Sequence, residues 1–63
     1  MTDQAAKTAV FLTLRLMGEA EPIDLMRATG VPIDVVMWAL DRLREDEMVR
    51  CRICGGREWW HIA

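Results

Sequence analysis

The strongest constraint on this chain is a change of period near residue 48. Val36, Ala39, Leu40 and Leu43 follow the spacing of one helical stripe over residues 33 to about 46, after which Val49, Cys51 and Ile53 alternate with Arg50 and Arg52. A helix must therefore give way to a strand near Met48. Gly55-Gly56 is a strong signal for a two-residue hairpin loop, and Glu58 to Ile62 supplies the returning strand. The whole chain has 63 residues, which allows one domain over 1–63 and, at roughly 60% burial of the unfolded surface, no large catalytic cleft.

Upstream, Thr2 or Asp3 can cap a first helix over Gln4 to Met17, with Gly18 ending it. Gln4, Thr8 and Arg15 form a narrow polar stripe into which Phe11 falls. Ala6, Ala9, Val10, Leu12, Leu14, Leu16 and Met17 take up most of the remaining circumference. Such a helix is either a greasy core element or one that packs on a second copy or another protein. Glu19 to Pro22 reads as a turn, Ile23 to Thr29 as a short helix closed by Gly30, and Val31-Pro32 opens the third helix. Leu25, Ala28, Gly30, Val31, Val36 and Leu40 follow the pattern of a helix-turn-helix, with a small residue at the crossing, a glycine in the turn and aliphatics locking the helices together. The expected fold is mainly α with a small β-hairpin: a winged helix-turn-helix of three helices and a C-terminal wing.

Charge narrows the function. Eight Lys and Arg against ten Asp and Glu give a formal net charge of -2, which argues against a binder held to nucleic acid by bulk charge. The distribution is uneven. Residues 1–41 carry three cations and six acids, whereas from Met48 onward Arg50, Arg52 and Arg57 face Glu58 alone. In the hairpin register set by Gly55-Gly56, one face carries Val49, Cys51, Ile53, Trp60 and Ile62, suited to packing on the helices. The other carries Arg50, Arg52, Arg57, Trp59 and His61. Arginine forks hold phosphate oxygens and an aromatic ring stacks on a base or sugar, so this face suits DNA; the alternative is a solvated strand face with Trp59 lying over arginine stems.

The outward positions at the start of the third helix are Ile33, Asp34, Met37, Trp38 and Asp41. None is an Arg, Lys, Asn or Gln, the common readers of base edges, so sequence-specific reading of the major groove is not expected. Arg42, Arg44, Arg27 and Thr29 remain candidates for phosphate contacts. Ile33, Met37 and Trp38, with Phe11, form an alternative apolar surface for a protein partner with a tryptophan anchor.

Cys51 and Cys54 have the spacing of a metal knuckle, and His61 is a candidate third ligand. A regular hairpin puts the two cysteines on opposite faces, so chelation requires a distorted strand. The main expectation is no cofactor, with zinc or an iron-sulfur cluster as the alternative. No Ser/His/Asp set, phosphate-cradling loop or paired catalytic carboxylates can be assembled, so an enzyme is not expected. Two cysteines are too few for a disulfide scaffold, nothing resembles a signal peptide, and no run nears the roughly 18 apolar residues of a membrane span. A cytoplasmic protein is expected.

The 23–49 segment resembles the helix-turn-helix of winged-helix regulators, including many small bacterial and phage repressors. That resemblance implies DNA binding in transcriptional or phage-type regulation. From the hairpin register and the charge distribution, the residues expected at the DNA are Arg42, Arg44, Arg50, Arg52, Arg57 and Trp59, in a homodimer joining two weak half-sites. The wing cysteines with the closing Arg57-Glu58-Trp59-Trp60 are similar to the FeoC family of ferrous-iron-transport accessory proteins. This second resemblance implies a protein-interaction module or an iron-sulfur-sensing regulator, with Cys51 and Cys54 as cluster ligands.

Overall fold

The structure, a computed structural model, describes residues 2–63. Helix α1 (Asp3–Met17) starts where expected because the Thr2 hydroxyl accepts a hydrogen bond from the Ala5 N–H at 3.1 Å, satisfying one of the donors left open at a helix start. Where a turn was expected over Glu19 to Pro22, the chain forms a two-residue strand, β1 (Glu19–Ala20), and then enters helix α2 (Pro22–Thr29) with Pro22 in its first turn. Glu19-Ala20-Glu21 does alternate polar and apolar, but three residues are too few for that period to be read as a strand.

Gly30 ends α2 in the left-handed conformation, φ 74°, and its N–H donates to the Met26 carbonyl at 2.9 Å. Thr29 completes the turn: its hydroxyl donates to the Leu25 carbonyl at 2.6 Å and accepts from the Val31 N–H at 3.1 Å. Helix α3 (Ile33–Glu45) follows. Strands β2 (Val49–Cys54) and β3 (Arg57–Ile62) are joined by Gly55 and Gly56, whose φ values of 60° and 76° are those of a tight hairpin turn whose twist matches its strands. The pairing agrees with the expected register from Val49 opposite Ile62 to Cys54 opposite Arg57. Strand β1 joins the far side of β3, so the sheet is antiparallel in the order β1-β3-β2 and β3 is its central strand.

The core lies between the three helices and the inner face of this sheet. Ala6, Val10 and Leu14 come from α1, Leu25 and Val31 from the helix-turn-helix, and Val36, Ala39, Leu40 and Leu43 from α3. Ala20, Val49 and Trp60 close it from the sheet. No polar or charged side chain is buried among the described residues.

Three expectations about packing are corrected. Ala28 is exposed, and the residue that α2 buries in the core is Leu25 instead. Ile53 is 67% exposed, because burial along β2 fades from Val49 toward the hairpin tip, beyond the reach of the helices. Phe11, placed by periodicity in the polar stripe of α1, is half-buried and packs on the core, whereas Leu12, Leu16 and Met17 are exposed. Among the described residues no helix is long and apolar enough to cross a membrane.

Candidate nucleic-acid interface

Strand alternation sorts the sheet into two faces. Ala20, Val49 and Trp60 point to the helices, so their neighbours Glu19, Arg50, Arg52, Trp59 and His61 face outward. Because β3 is central, Trp59 and His61 form the middle of this outward face. Arg52 lies opposite Trp59, and His61 has Glu19 on one side and Arg50 on the other. Trp59 and His61 are half-buried, while Arg50, Arg52 and Arg57 are exposed.

The arginines expected at phosphates differ in what they touch. The Arg52 Nη2 donates to Glu19 Oε1 at 2.8 Å, reaching across the central strand from β2 to β1. That hydrogen bond first, and then the carboxylate's charge, pushes the Arg52 guanidinium further above its ordinary value. Arg57 Nη1 lies 3.4 Å from Glu21 Oε1. Arg42 pairs with Glu45 at 3.4 Å and sits 6.0 Å from the Trp38 ring centre. Arg44 pairs with Asp41 at 3.4 Å and lies 5.5 Å from the ring of Trp60. Arg50 and Arg27, both exposed, join no ion pair among the described residues. Thr29 is corrected as a phosphate-contact candidate: both of its hydroxyl bonds are spent on the turn. Glu19 and Glu21 were not singled out from the sequence, since only β1 brings them beside the wing.

The apolar set on α3 divides. Ile33 is 42% exposed, whereas Met37 and Trp38 are half-buried and pack against the core, as Phe11 does on α1. They are thus only partly available to a partner, and their core contacts explain why a surface helix carries them. Asp34 and Asp41 remain exposed beside them.

Cys51 is half-buried opposite Trp60, and Cys54 is exposed near the hairpin tip; both are free thiols. Burial chiefly, then the charge of Glu58, pushes the Cys51 thiol up from its ordinary value, while Arg44 opposes that shift. The sulfurs leave β2 on opposite faces, as its regular pairing requires. His61 Nδ1 lies 3.1 Å from the Ile62 carbonyl. No group of three or more His, Cys, Asp or Glu side chains converges on a point among the described residues, and none of them lines a pocket.

No family model matches the sequence, and no curated protein does. Solved structures do. The structure of Bordetella bronchiseptica BpsR, whose DNA binding is regulated by 6-hydroxynicotinic acid, superposes with a TM-score of 0.89 at 20% identity over 94% of this chain and 44% of that one. The Zalpha domain of Carassius auratus PKZ, in complex with Z-DNA, gives 0.87 at 15% identity over 97% of both chains. The antimony-specific transcriptional repressor AntR gives 0.77 at 24% identity over 98% of this chain and 54% of that one. The chain thus spans about half the length of BpsR and AntR and almost all of the Zalpha chain. What these likenesses share with the three helices and three-stranded sheet described above is architecture, and the chain has the winged helix-turn-helix fold.

Proposed function

We propose that the chain binds duplex DNA through the outward face of its sheet, with little sequence discrimination, and acts in transcriptional or phage-type regulation. The observation that carries this reading is the placement of Arg50, Arg52 and Arg57 on one exposed face around Trp59. Guanidinium groups at neighbouring rows of a sheet suit phosphates along a strand, and the indole offers a stacking surface for a sugar or base. Exposed ion pairs contribute little to stability, so Glu19 is readily exchanged for phosphate at Arg52, and the half-buried Glu21 less readily at Arg57. Support also comes from the similar structures, which include a protein with regulated DNA binding, a domain bound to Z-DNA and a transcriptional repressor. Weak discrimination follows from α3, whose outward start offers Ile33, Asp34 and Asp41 rather than amides or cations. Arg42 and Arg44, later on α3, add phosphate contacts.

The reading includes a homodimer, since one weak contact surface gains affinity by joining two half-sites, and the exposed Leu12, Leu16 and Met17 on α1 are the surface for it. It is non-enzymatic, needs no metal or cluster at Cys51 and Cys54, and places the protein in the cytoplasm. The deciding experiment is fluorescence anisotropy with a mixed-sequence duplex at low salt. Binding at about tens of micromolar or tighter is expected, with Arg52→Glu weakening it and flattening its salt dependence; no binding at those concentrations removes the reading.

A second reading is favoured by one observation, the 42% exposure of Ile33 beside the half-buried Met37 and Trp38. On that reading the domain captures a protein through α3 and no nucleic acid is involved. Trp38→Ala then abolishes capture without unfolding the chain.

A further inference from the structure

We infer that Glu19 and Glu21 are internal stand-ins for phosphate, so that the DNA affinity of the wing is set by an exchange in which phosphate oxygens displace these two carboxylates from Arg52 and Arg57. This inference rests on the DNA-binding reading and adds to it the residues that hold the affinity down.

The placement is specific. Glu19 and Glu21 flank Ala20, whose side chain is buried under the sheet, so the alternation of the strand turns Glu19 outward, with Glu21 following at the start of α2. Glu19 reaches Arg52 at 2.8 Å and Glu21 reaches Arg57 at 3.4 Å, two acids in one short segment meeting two arginines of the wing. A carboxylate offers a guanidinium the same oxygen acceptors that a phosphate does. Adjacent strands lie about 4.8 Å apart, so the Arg52–Glu19 pair spans roughly 10 Å of sheet over β3. It therefore lies across the face that a DNA backbone must occupy. Arg50, in the same face, has no ion-pair partner among the described residues and is open for first contact. Contact at Arg50 brings phosphate close to the two masked arginines, and each exchange leaves a carboxylate to be solvated, fully for the exposed Glu19 and in part for the half-buried Glu21.

The test is a double-mutant series read by anisotropy on one mixed-sequence duplex across a salt titration. Its members are the unaltered chain, Glu19→Gln, Glu21→Gln, Arg52→Gln and the Glu19→Gln/Arg52→Gln pair. Glu47→Gln is the charge-matched control, because Glu47 is exposed and joins no ion pair among the described residues. Thermal melts by circular dichroism establish that each variant is folded. Glu19→Gln and Glu21→Gln are each expected to tighten binding about fivefold relative to Glu47→Gln. The gain from Glu19→Gln is expected to vanish when Arg52 is already Gln. Equal tightening by all three Glu variants, or a Glu19→Gln gain that persists without Arg52, overturns the exchange while leaving DNA binding intact. Binding by Glu19→Gln or Glu21→Gln without binding by the unaltered chain overturns the DNA-binding reading of this chain, and the exchange with it. No binding by any member overturns both readings.

Discussion

Arg52 and Glu19 are 33 positions apart in sequence and joined at 2.8 Å across the central strand of the sheet. The pair ties the wing to β1, a strand of two residues whose only buried side chain is Ala20. It also gives the outward face a mixed character that the run of wing arginines alone does not suggest. Arg50, in the same face, is not drawn into that pairing, and this difference separates the expected roles of the two residues.

Arg50 is expected to be an open phosphate contact. Arg50→Gln should weaken binding to duplex DNA about threefold to tenfold at low salt and reduce the slope of log affinity against log salt by about one. Anisotropy titrations at several salt concentrations measure both quantities, and an unchanged slope would show that Arg50 meets no phosphate.

Trp60 is expected to be the side chain on which the sheet depends. It is 1% exposed, its ring lies beneath the Arg44 guanidinium, and its indole N–H donates to Glu58 at 3.1 Å. Trp60→Ala should cost about 3–5 kcal/mol, comparable with the roughly 3–9 kcal/mol typical of a chain of this length. Urea denaturation followed by circular dichroism should show the variant largely unfolded in buffer, with Trp60→Phe folded but weaker.

The two thiols should differ in reactivity. Cys54 is exposed, whereas Cys51 is half-buried and its thiol is pushed above the ordinary value of 9.0, so at any given pH it carries less thiolate than an ordinary cysteine. Alkylation followed by mass spectrometry should label Cys54 first, and the Cys51 rate should keep rising with pH beyond the ordinary thiol range. The linked stability runs the same way: the contribution of neutral Cys51 is fully present below pH 9.0 and is lost as pH rises through its higher folded value.

Leu16, at 86% exposure, is expected to be buried when two copies meet through α1. Size-exclusion chromatography with light scattering should show a concentration-dependent dimer that Leu16→Glu returns to monomer. A chain that stays monomeric up to about millimolar, the range of weak association, would remove the homodimer.

Much of the architecture was legible because it is written in local terms. The helical stripe of Val36, Ala39, Leu40 and Leu43, the left-handed turn at Gly30 and the hairpin at Gly55-Gly56 each depend on residues close in the chain, and once the hairpin loop is placed the strand period sets the register of every wing residue. The burial of Phe11 and Trp38 and the exposure of Ala28 and Ile53 were not legible, because periodicity assigns a face to a side chain without saying how far the neighbouring element extends over it. The three helices, the hairpin with its register and the concentration of arginines in the wing all follow from the order of residues along the chain. Which of those arginines are open depends on long-range packing, because β1 adds to the far edge of β3 through backbone hydrogen bonds that carry no residue code, and Glu19 and Glu21 arrive beside Arg52 and Arg57 as a result.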